Sequence, residues 1–540
     1  MVISGYRQPR VVTPTDGWQL TLPALSGQQL FLSDQHPQAS AALSRYRDYL
    51  GHEFYRVIID CQQQLHVDAI AALTGTIIAG GELVLLADTH NSPMWQRLTE
   101  NWRQLSPVTT PPELPAILPT EQQQQVLEQL QDATTTHVVT APRGRGKSHV
   151  LGQAIAAKQT ACPQQRIIVT APRKANARVL LNQAPQVQFV AWDKLIATQK
   201  GDALLVIDEA AGLPLWAIQQ LCHRYTPWLL ATTVDGYEGC GRGFAVHFTE
   251  WSQQQFDSVS FHRLTTPLRW PIADPLERWL EQALMMQPAA PLLSSSGRPH
   301  TAHASDLSED ILHQAFELLL NAHYQSSPND LALLLNDPNQ FLTLEYQSQR
   351  VVGVSWNAIE GPLPEQLRQP IIQGRRRPKG NLLPQAIGYF LQQPWALEKR
   401  WCRIVRIAVA ADMRRRHIAS DMIEQVKHWA QKQQCDAIGT SFGYSAELGH
   451  IWQLNGFMPI RTSSRRDRVS ARFQQIRVCW LSSPPELWSA LFAYGQAELD
   501  WVLHDHMQPG ANNTVAQNIN DAVVAGYLPA TAARFAQKFN

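Results

Sequence analysis

The sequence is poor in cysteine and in net charge, and each shortage excludes a class of protein. Its seven cysteines among 540 residues form no C-x-x-C pair, which argues against a zinc site or a disulfide framework and favours a reducing cytoplasm. Lys and Arg total 46 against 45 for Asp and Glu, so any nucleic-acid surface must come from local clusters. The N-terminus lacks a signal-peptide pattern and no apolar run reaches membrane-span length, so we expect a cytoplasmic protein with no membrane partner.

A chain of this length exceeds a single hydrophobic core, and its patterns predict an α/β multidomain protein. The predicted parts are a small N-terminal α/β domain (1–105), a proline-rich linker (106–119), a parallel-sheet domain (120–293), a second linker (294–306), an α+β domain (307–490) and a short helical C-terminal tail (491–540).

Strand and helix patterns underlie this division. In the N-terminal domain and the parallel-sheet domain, strands are predicted at 54–60, 82–87, 137–140, 166–170, 204–207 and 228–231, and a helix at 67–73. In the α+β domain, we predict a hairpin over 341–356, a strand over 403–409, a helix over 414–434, a strand over 437–442, a helix over 446–454 and two closing strands.

A phosphate-binding loop is predicted where the strand at 137–140 ends. Residues 141–148, APRGRGKS, have the Walker A pattern with alanine in place of its first glycine. Glycines let backbone N–H groups turn toward phosphate, the lysine reaches the β- and γ-phosphates, and the serine binds Mg²⁺. The predicted nucleotide contacts are Gly144, Arg145, Gly146, Lys147 and Ser148. The alternative is a glycine-rich turn that happens to precede a helix.

An acidic pair supports this interpretation. Asp208 and Glu209 follow the strand at 204–207, as in a Walker B motif, where the first carboxylate holds Mg²⁺ through water and the second orients the attacking water. Two further predictions compete with ordinary surface roles. Gln122 lies where helicase-like NTPases place a glutamine that reads adenine, and Arg269 is a candidate in-cis arginine for the γ-phosphate, with Arg263 as its competitor.

A second site is predicted where the strand at 403–409 leads into a long helix. Residues 414–420, RRRHIAS, resemble motif A of the GNAT acyltransferases, with Arg414 first, Ala419 last and His417 at the glycine position. A helix N-terminus of this kind presents backbone amides to the pyrophosphate of CoA. The alternative is a basic helix N-terminus on an ordinary α/β domain. The later order of strand, helix and the turn Asn455-Gly456-Phe457 is typical of the end of a GNAT domain.

Together, the domain with the phosphate-binding loop and the GNAT-like domain resemble the bacterial tRNA(Met) cytidine acetyltransferases of the RNA cytidine acetyltransferase family. Besides the two motifs, the resembling segments are 233–243, 267–270, 323–330 and 380–383. The resemblance implies a RecA-like P-loop domain fused to a GNAT domain. It also implies N4-acetylation of the wobble cytidine of elongator tRNA(Met), with acetyl-CoA as donor and ATP or GTP hydrolysis with Mg²⁺. It implies no obligatory protein partner.

The resemblance also assigns residues by position. The implied acetyl-CoA contacts are Ile407, Ala408, Val409, Arg414, Arg415, Arg416, His417, Ile418, Ala419, Ser420 and Glu447. Leu454 stands where the family has a further arginine. Glu447, His450 and Tyr444 are candidate proton-handling groups, although a structural role is the more common explanation for each of them taken alone.

Two basic clusters could contact tRNA phosphates or be solvated charged faces. They comprise Arg375, Arg376, Arg377 and Lys379, and then Arg461, Arg465, Arg466, Arg468, Arg472 and Arg477. Three other functions stay open at this point: an RNA helicase or translocase with a non-catalytic GNAT fold, a protein lysine acetyltransferase, and a binding protein without catalysis.

Overall fold

The computed structural model shows a chain divided into two compact units. The first comprises Met1–Ala289 with Leu320–Asn336, and the second Ala290–Leu319 with Asp337–Asn540. The residues that the structure describes are 6–12, 29–87, 92–103, 119–132, 135–198, 202–234, 241–291, 300–322, 327–467, 470–486 and 488–504. Residues 106–118 of the first predicted linker, residues 294–299 of the second, residues 235–240, Arg468 and the chain after 504 lie outside them.

The first unit begins with a four-stranded parallel sheet, here called the N-terminal sheet. Its elements are β1 (Gln8–Val12), β2 (Gln29–Leu32), β3 (Phe54–Asp60), α1 (Val67–Thr74), β4 (Ile77–Leu86) and α2 (Pro93–Arg103). The strand order is β1-β4-β3-β2. The helix α1 crosses from β3 to β4, and every one of its residues is buried.

A six-stranded parallel sheet, the central sheet, follows in the same unit. Its strands are β5 (Thr136–Ala141), β6 (Ile167–Thr170), β7 (Gln188–Phe189), β8 (Leu204–Ile207), β9 (Trp228–Thr233) and β10 (Val259–Arg263), in the order β10-β5-β9-β8-β6-β7. Its helices are α3 (Glu121–Gln129), α4 (Lys147–Ala161), α5 (Arg178–Gln183), α6 (Trp192–Ala197), α7 (Leu215–Arg224), α8 (Gly241–Gln255) and α9 (Pro275–Ala283). Separate hydrophobic clusters cover its two faces, as expected for a parallel sheet.

The chain passes between the two units three times. Helix α10 (Glu309–Ala322) crosses the boundary at Leu319, and α11 (Pro328–Asn336) belongs to the first unit. The N-termini of α1 and α11 cap each other: the Asn329 N–H donates to Asp68 Oδ1 (2.9 Å), and the Asp68 N–H donates to Asn329 Oδ1 (3.2 Å). A segment from beyond the central sheet therefore packs against the N-terminal α/β layer.

The second unit is built on a seven-stranded mixed sheet, the C-terminal sheet. Its strands are β11 (Thr301–His303), β12 (Gln340–Gln347), β13 (Arg350–Glu360), β14 (Trp401–Val409), β15 (Ala437–Gly443), β16 (Met458–Arg466) and β17 (Phe473–Trp480), in the order β11-β12-β13-β14-β15-β17-β16. Its helices are α12 (Glu365–Ile372), α13 (Leu382–Phe390), α14 (Ile418–Lys432), α15 (Ala446–Leu454) and α16 (Trp488–His504). The β14–β15 pair is parallel, whereas the other neighbours are antiparallel.

The predicted fold class is confirmed, and most element positions agree with the patterns. One helix start was wrong: α14 begins at Ile418 rather than at residue 414. Arg415 and His417 adopt left-handed backbone conformations, which interrupt a helix. Among the described residues, no helix combines the length and apolarity needed to cross a bilayer.

A buried arginine joins the N-terminal sheet to the central part of the first unit. Arg7, only 1% exposed, donates from Nη2 to Asp274 Oδ1 (2.8 Å) and from Nη1 to the Thr74 carbonyl (2.8 Å). Its guanidinium also lies 3.6 Å from the ring centre of Trp270. Asp274 is fully buried and caps α9, so each charge depends on the other.

We expect Arg7→Met to destabilise the first unit by about 3–5 kcal/mol, because it leaves the Asp274 carboxylate buried without its partner. Arg10→Met is the matched control, because Arg10 is 52% exposed and its ion pair with Glu82 is long at 3.5 Å. The control should lose less than about 1 kcal/mol. Urea unfolding followed by tryptophan fluorescence measures both, and equal losses would contradict this account.

Candidate functional site

The loop after β5 has the backbone that a phosphate-binding loop requires. Gly144 and Gly146 have φ of +77° and +78°, and α4 begins at the next residue, Lys147. A Cβ at Gly144 would lie 2.6 Å from the Trp270 ring, and one at Gly146 would lie 2.5 Å from the Gln123 amide nitrogen. Both the backbone conformation and the close packing therefore require glycine.

Leu268 and Gln123 donate hydrogen bonds to carbonyls of this loop, and the sequence patterns did not indicate these contacts. The Leu268 N–H donates to the Gly144 carbonyl (2.8 Å), and Gln123 Nε2 donates to the Arg145 carbonyl (3.4 Å). Arg145 was predicted as a nucleotide contact, and the structure limits that prediction to its backbone. The Arg145 guanidinium is buried, pairs with Glu277 (2.5 Å) and donates to the Thr265 carbonyl (3.1 Å), so only the backbone of this residue can face a phosphate.

Asp208 and Ser148 supply suitable oxygen ligands for a divalent cation. The Ser148 hydroxyl donates to Asp208 Oδ1 (3.1 Å). Asp208 is fully buried, and its Oδ2 has no hydrogen-bond partner among the described residues. Burial, and then the charge of Glu209, raise the pKa of Asp208 to about 7. A buried carboxylate oxygen without a donor, beside a hydroxyl, fits Mg²⁺.

Lys147 and Glu209 are linked through Thr233. Lys147 Nζ donates to Thr233 Oγ1 (2.8 Å), which donates to Glu209 Oε2 (2.9 Å), and Nζ lies 3.7 Å from Glu209 Oε1. Burial acts to raise the pKa of Glu209, but Lys147 and then Arg143 lower it below its usual value. Glu209 has φ of +48°, a conformation rare outside glycine. The lowered pKa and the hydrogen bond from Thr233 both favour the carboxylate form that a water-orienting group requires.

A cavity of about 300 Å³ opens over this loop. Six predicted residues line it: Gly144, Gly146, Lys147, Ser148, Glu209 and Arg269. The remaining lining residues, which the sequence analysis did not select as site residues, are Leu50, Gly51, Glu53, Arg143, His149, Ala175, Asn176, Arg178, Val179 and Leu268. The site is therefore shared by the central sheet and the N-terminal α/β layer.

Gln122 and Arg269 differ in how the structure uses them. Gln122 does not line the cavity; its amide donates to the Arg263 carbonyl (2.9 Å) and accepts from the Thr265 N–H (2.9 Å). Arg269 does line it, and Arg263 does not. Burial, offset in part by Glu53, lowers the pKa of Arg269. Of the two competing arginines, only Arg269 can meet a phosphate in this cavity.

In the second unit, the parallel strands β14 and β15 separate. They pair from Trp401 with Ala437 to Ile404 with Thr440, after which β14 continues to Val409 paired with β13 alone. The pairing of β13 with β14 also shifts register between Trp356 and Asn357, opposite the residues at which β14 leaves β15. Within the described sheet, the edge at 407–409 therefore offers backbone groups to an extended amide chain between the strands.

The helix that follows presents its N-terminus to solvent. Arg414, Arg415, Arg416 and His417 are exposed, while Ile418, Ala419 and Ser420 are half-buried in the first turn of α14. His417 has φ of +62°, the conformation for which the motif uses glycine, and histidine is among the residues that tolerate it. Its place in the motif is therefore compatible with the loop geometry, and the first-turn amides remain suited to an anion.

The three proton-handling candidates cluster after β15. Tyr444 is half-buried and packs on Gly449, where a Cβ would lie 2.8 Å from the ring, whereas Glu447 and His450 are exposed on α15. Leu454, at the position of the family's arginine, is 72% exposed.

The basic clusters divide into exposed and buried members. Arg375, Arg376, Arg377, Lys379, Arg465, Arg466 and Arg472 are exposed. Arg461 stacks 3.1 Å from the ring centre of Phe390. Arg477 contradicts its predicted surface role: it is 3% exposed and donates to Gln475 (2.6 Å) and to the Phe457 carbonyl (3.3 Å).

Comparison with known proteins decides the family. Residues 1–141 match tRNA(Met) cytidine acetyltransferase TmcA, N-terminal; residues 138–188 and 181–287 match RNA cytidine acetyltransferase NAT10/TcmA, helicase domain; and residues 314–435 match GNAT acetyltransferase 2. The chain is 46% identical over 522 residues to the tRNA(Met) cytidine acetyltransferase TmcA of Idiomarina loihiensis, covering 92% of this chain and 85% of the relative. The chain belongs to this family.

Another member of the tRNA(Met) cytidine acetyltransferase family matches at lower identity. The relative from Vibrio cholerae is 32% identical, and the match covers 87% of this chain and 73% of the relative. Among solved structures, the ribosomal-protein-S18-alanine N-acetyltransferase of Escherichia coli is 13% identical with a TM-score of 0.24, covering 34% of this chain and 96% of that chain. The resemblance drawn from the motifs is confirmed at the level of the family and of its helicase and GNAT domains.

The protonation of Asp208 should control cation binding. Only the ionised carboxylate binds a cation, so affinity for Mn²⁺ in the presence of ADP should fall as the pH falls through about 7. We expect roughly ten-fold weaker binding at about pH 6 than at about pH 8, measured by electron paramagnetic resonance. Asp208→Asn should reduce the dependence to that of the ADP terminal phosphate, whose second pKa is about 6, whereas Asp48→Asn, at an exposed acid, should keep it. An affinity independent of pH in the unaltered protein would contradict the assignment.

Proposed function

We propose that this protein acetylates N4 of the wobble cytidine of elongator tRNA(Met), using acetyl-CoA as donor and ATP or GTP hydrolysis to drive the reaction. The observation that carries the proposal is the hydrogen-bonded Lys147–Thr233–Glu209 chain beside Ser148 and Asp208, in the same polypeptide as the separated strands β14 and β15. Relatives named tRNA(Met) cytidine acetyltransferase align with most of its length.

In the nucleotide reaction, Lys147 would neutralise the β- and γ-phosphates, and the amides around Gly144 and Gly146 would cradle them. Ser148 and Asp208 would hold Mg²⁺, which supplies charge neutralisation when bound. Glu209, kept ionised by Lys147, would orient the attacking water. For Gln122 to contact adenine, its amide would have to exchange its bonds to Thr265 and the Arg263 carbonyl.

In the acetyl transfer, the strand edge 407–409 would bind the pantetheine arm, and the first turn of α14 within 414–420 would bind the pyrophosphate. The cytosine amine is a weak nucleophile, because its lone pair is delocalised into the ring. Alignment with the thioester, removal of a proton and support of the oxyanion are therefore required. Tyr444, Glu447 and His450 are the candidates for the proton transfer.

The direct test is to incubate the protein with labelled acetyl-CoA, ATP, Mg²⁺ and total tRNA, and to identify labelled nucleosides after digestion. We expect label in N4-acetylcytidine, and at least about 100-fold less with Lys147→Ala, because the phosphates lose their buried cation. Lys174→Ala, at an exposed lysine, is the control.

The other outcomes are equally informative. ATP hydrolysis without acetylcytidine would support a helicase or translocase instead. Label on protein lysines but not on RNA would support a protein acetyltransferase. Either result contradicts the proposal.

Because the proposed substrate is a tRNA, we place the proposed reaction in the cytoplasm.

The exposed arginines should contribute to RNA affinity by binding phosphates. We expect Arg375→Ala/Arg376→Ala to weaken tRNA binding and to reduce the slope of log affinity against log salt by about one for each arginine that binds a phosphate. Acetyl-CoA affinity should not change. Arg278→Ala, at an exposed arginine of the first unit, is the control, and fluorescence anisotropy at several salt concentrations is the measurement. Unchanged affinity and slope would exclude the cluster from the RNA surface.

A further inference from the structure

Arg269 is positioned by the N-terminal α/β layer rather than by the sheet that carries the phosphate loop. Its carbonyl accepts from the Ala79 N–H of β4 (2.8 Å), and its Nη1 donates to the Gly75 carbonyl at the end of α1 (3.2 Å). Its Nε lies 3.1 Å from Glu53 Oε1, just before β3. Its neighbour Leu268, by contrast, is bonded to the phosphate loop at Gly144 (2.8 Å).

Glu53 contributes a negative charge to the wall of a cavity suited to a polyphosphate. It lines the same cavity as Lys147 and Ser148. The Glu53 side chain is 56% exposed and that of Arg269 is 25% exposed, so the Glu53 carboxylate can turn from the half-buried guanidinium to solvent at low cost. The remaining side-chain bond of Arg269 goes to a neutral carbonyl and does not neutralise its charge.

A guanidinium forms its strongest bonds as a fork to one carboxylate or one phosphate. Because Nη1 is bonded to the Gly75 carbonyl, the Nε–Nη2 edge is the fork left for a terminal phosphate, and Glu53 already lies 3.1 Å from its Nε. The two anions therefore compete for the same donors.

We infer that Glu53 is a positioning residue for the nucleotide reaction, which competes with the terminal phosphate of the bound nucleotide for Arg269. The inference rests on the proposed nucleotide hydrolysis. The inference also assigns a function to the N-terminal domain. This domain supplies the groups that hold Arg269 at the cavity.

The competition predicts a change in selectivity between nucleotides. The measured quantity is the ratio of the dissociation constant for ADP to that for a non-hydrolysable ATP analogue, both with Mg²⁺. Glu53→Gln should raise this ratio about two- to five-fold, the range for a partly exposed ion pair. ADP lacks the terminal phosphate, so its affinity should change little. Glu53→Ala should act in the same direction.

Two further variants separate competition from general repulsion. In an Arg269→Ala background, Glu53→Gln should leave the ratio unchanged, because no guanidinium remains to be released. Asp48→Asn removes a neighbouring acid of equal charge, which pairs with Arg45 (2.9 Å) and does not line the cavity, and should not alter the ratio.

The outcomes distinguish this inference from the proposed function. If the unaltered protein binds neither nucleotide, the proposed nucleotide reaction is wrong. If it binds both and Glu53→Gln leaves the ratio unchanged, or raises it equally without Arg269, only the competition is wrong. A ratio that rises in Glu53→Gln and depends on Arg269 supports the inference.

Discussion

The first unit depends on one buried ammonium group. Lys147 is 6% exposed, so its charge must be compensated within the protein. The order of the strands places the compensating groups beside it. Because β9 lies between β5 and β8, Thr233 at the end of β9 stands between Lys147, which follows β5, and Glu209, which follows β8. The same order brings Asp208 to Ser148. The parallel sheet therefore brings the Lys147 ammonium group, the Thr233 hydroxyl and the two carboxylates together at one edge, where ligands bind in folds of this class.

The C-terminal end of α1 is the second organising feature. Its carbonyls receive three arginines from different parts of the unit: Arg143 donates to Ala72 (3.2 Å), Arg7 to Thr74 (2.8 Å) and Arg269 to Gly75 (3.2 Å). Helix carbonyls at this end carry partial negative charge and favour cations. The other end of α1 pairs with α11, whose flanking chain continues into the second unit. One buried helix thus contacts α11 at one end and, at the other, Arg143 and Arg269, which line the cavity over the phosphate loop.

Sequence patterns predicted those features that local residues determine. The two glycines and Lys147 follow from the loop geometry, and the strand at 403–409 and the helix at 446–454 follow from their periodicity. Features that depend on distant neighbours were missed. Nothing near Arg145 or Arg477 in sequence indicates that their charges are buried, because Glu277 and Phe457 are distant in the chain. Strand β10 was missed because it is only five residues long and buries the polar His262, whereas Phe261 is exposed at the sheet edge. The domain boundaries and the role of each site residue stay predictions.

The central claim is that one chain uses nucleotide hydrolysis to drive acetyl transfer to RNA. The most direct measurement follows phosphate release and N4-acetylcytidine formation in the same reaction while the ATP concentration is varied. The account predicts that both rates rise together and reach half their maximum at the same ATP concentration. Full-rate acetylcytidine formation without nucleotide would contradict it, because the buried charges around Lys147 would then have no part in the acetyl transfer.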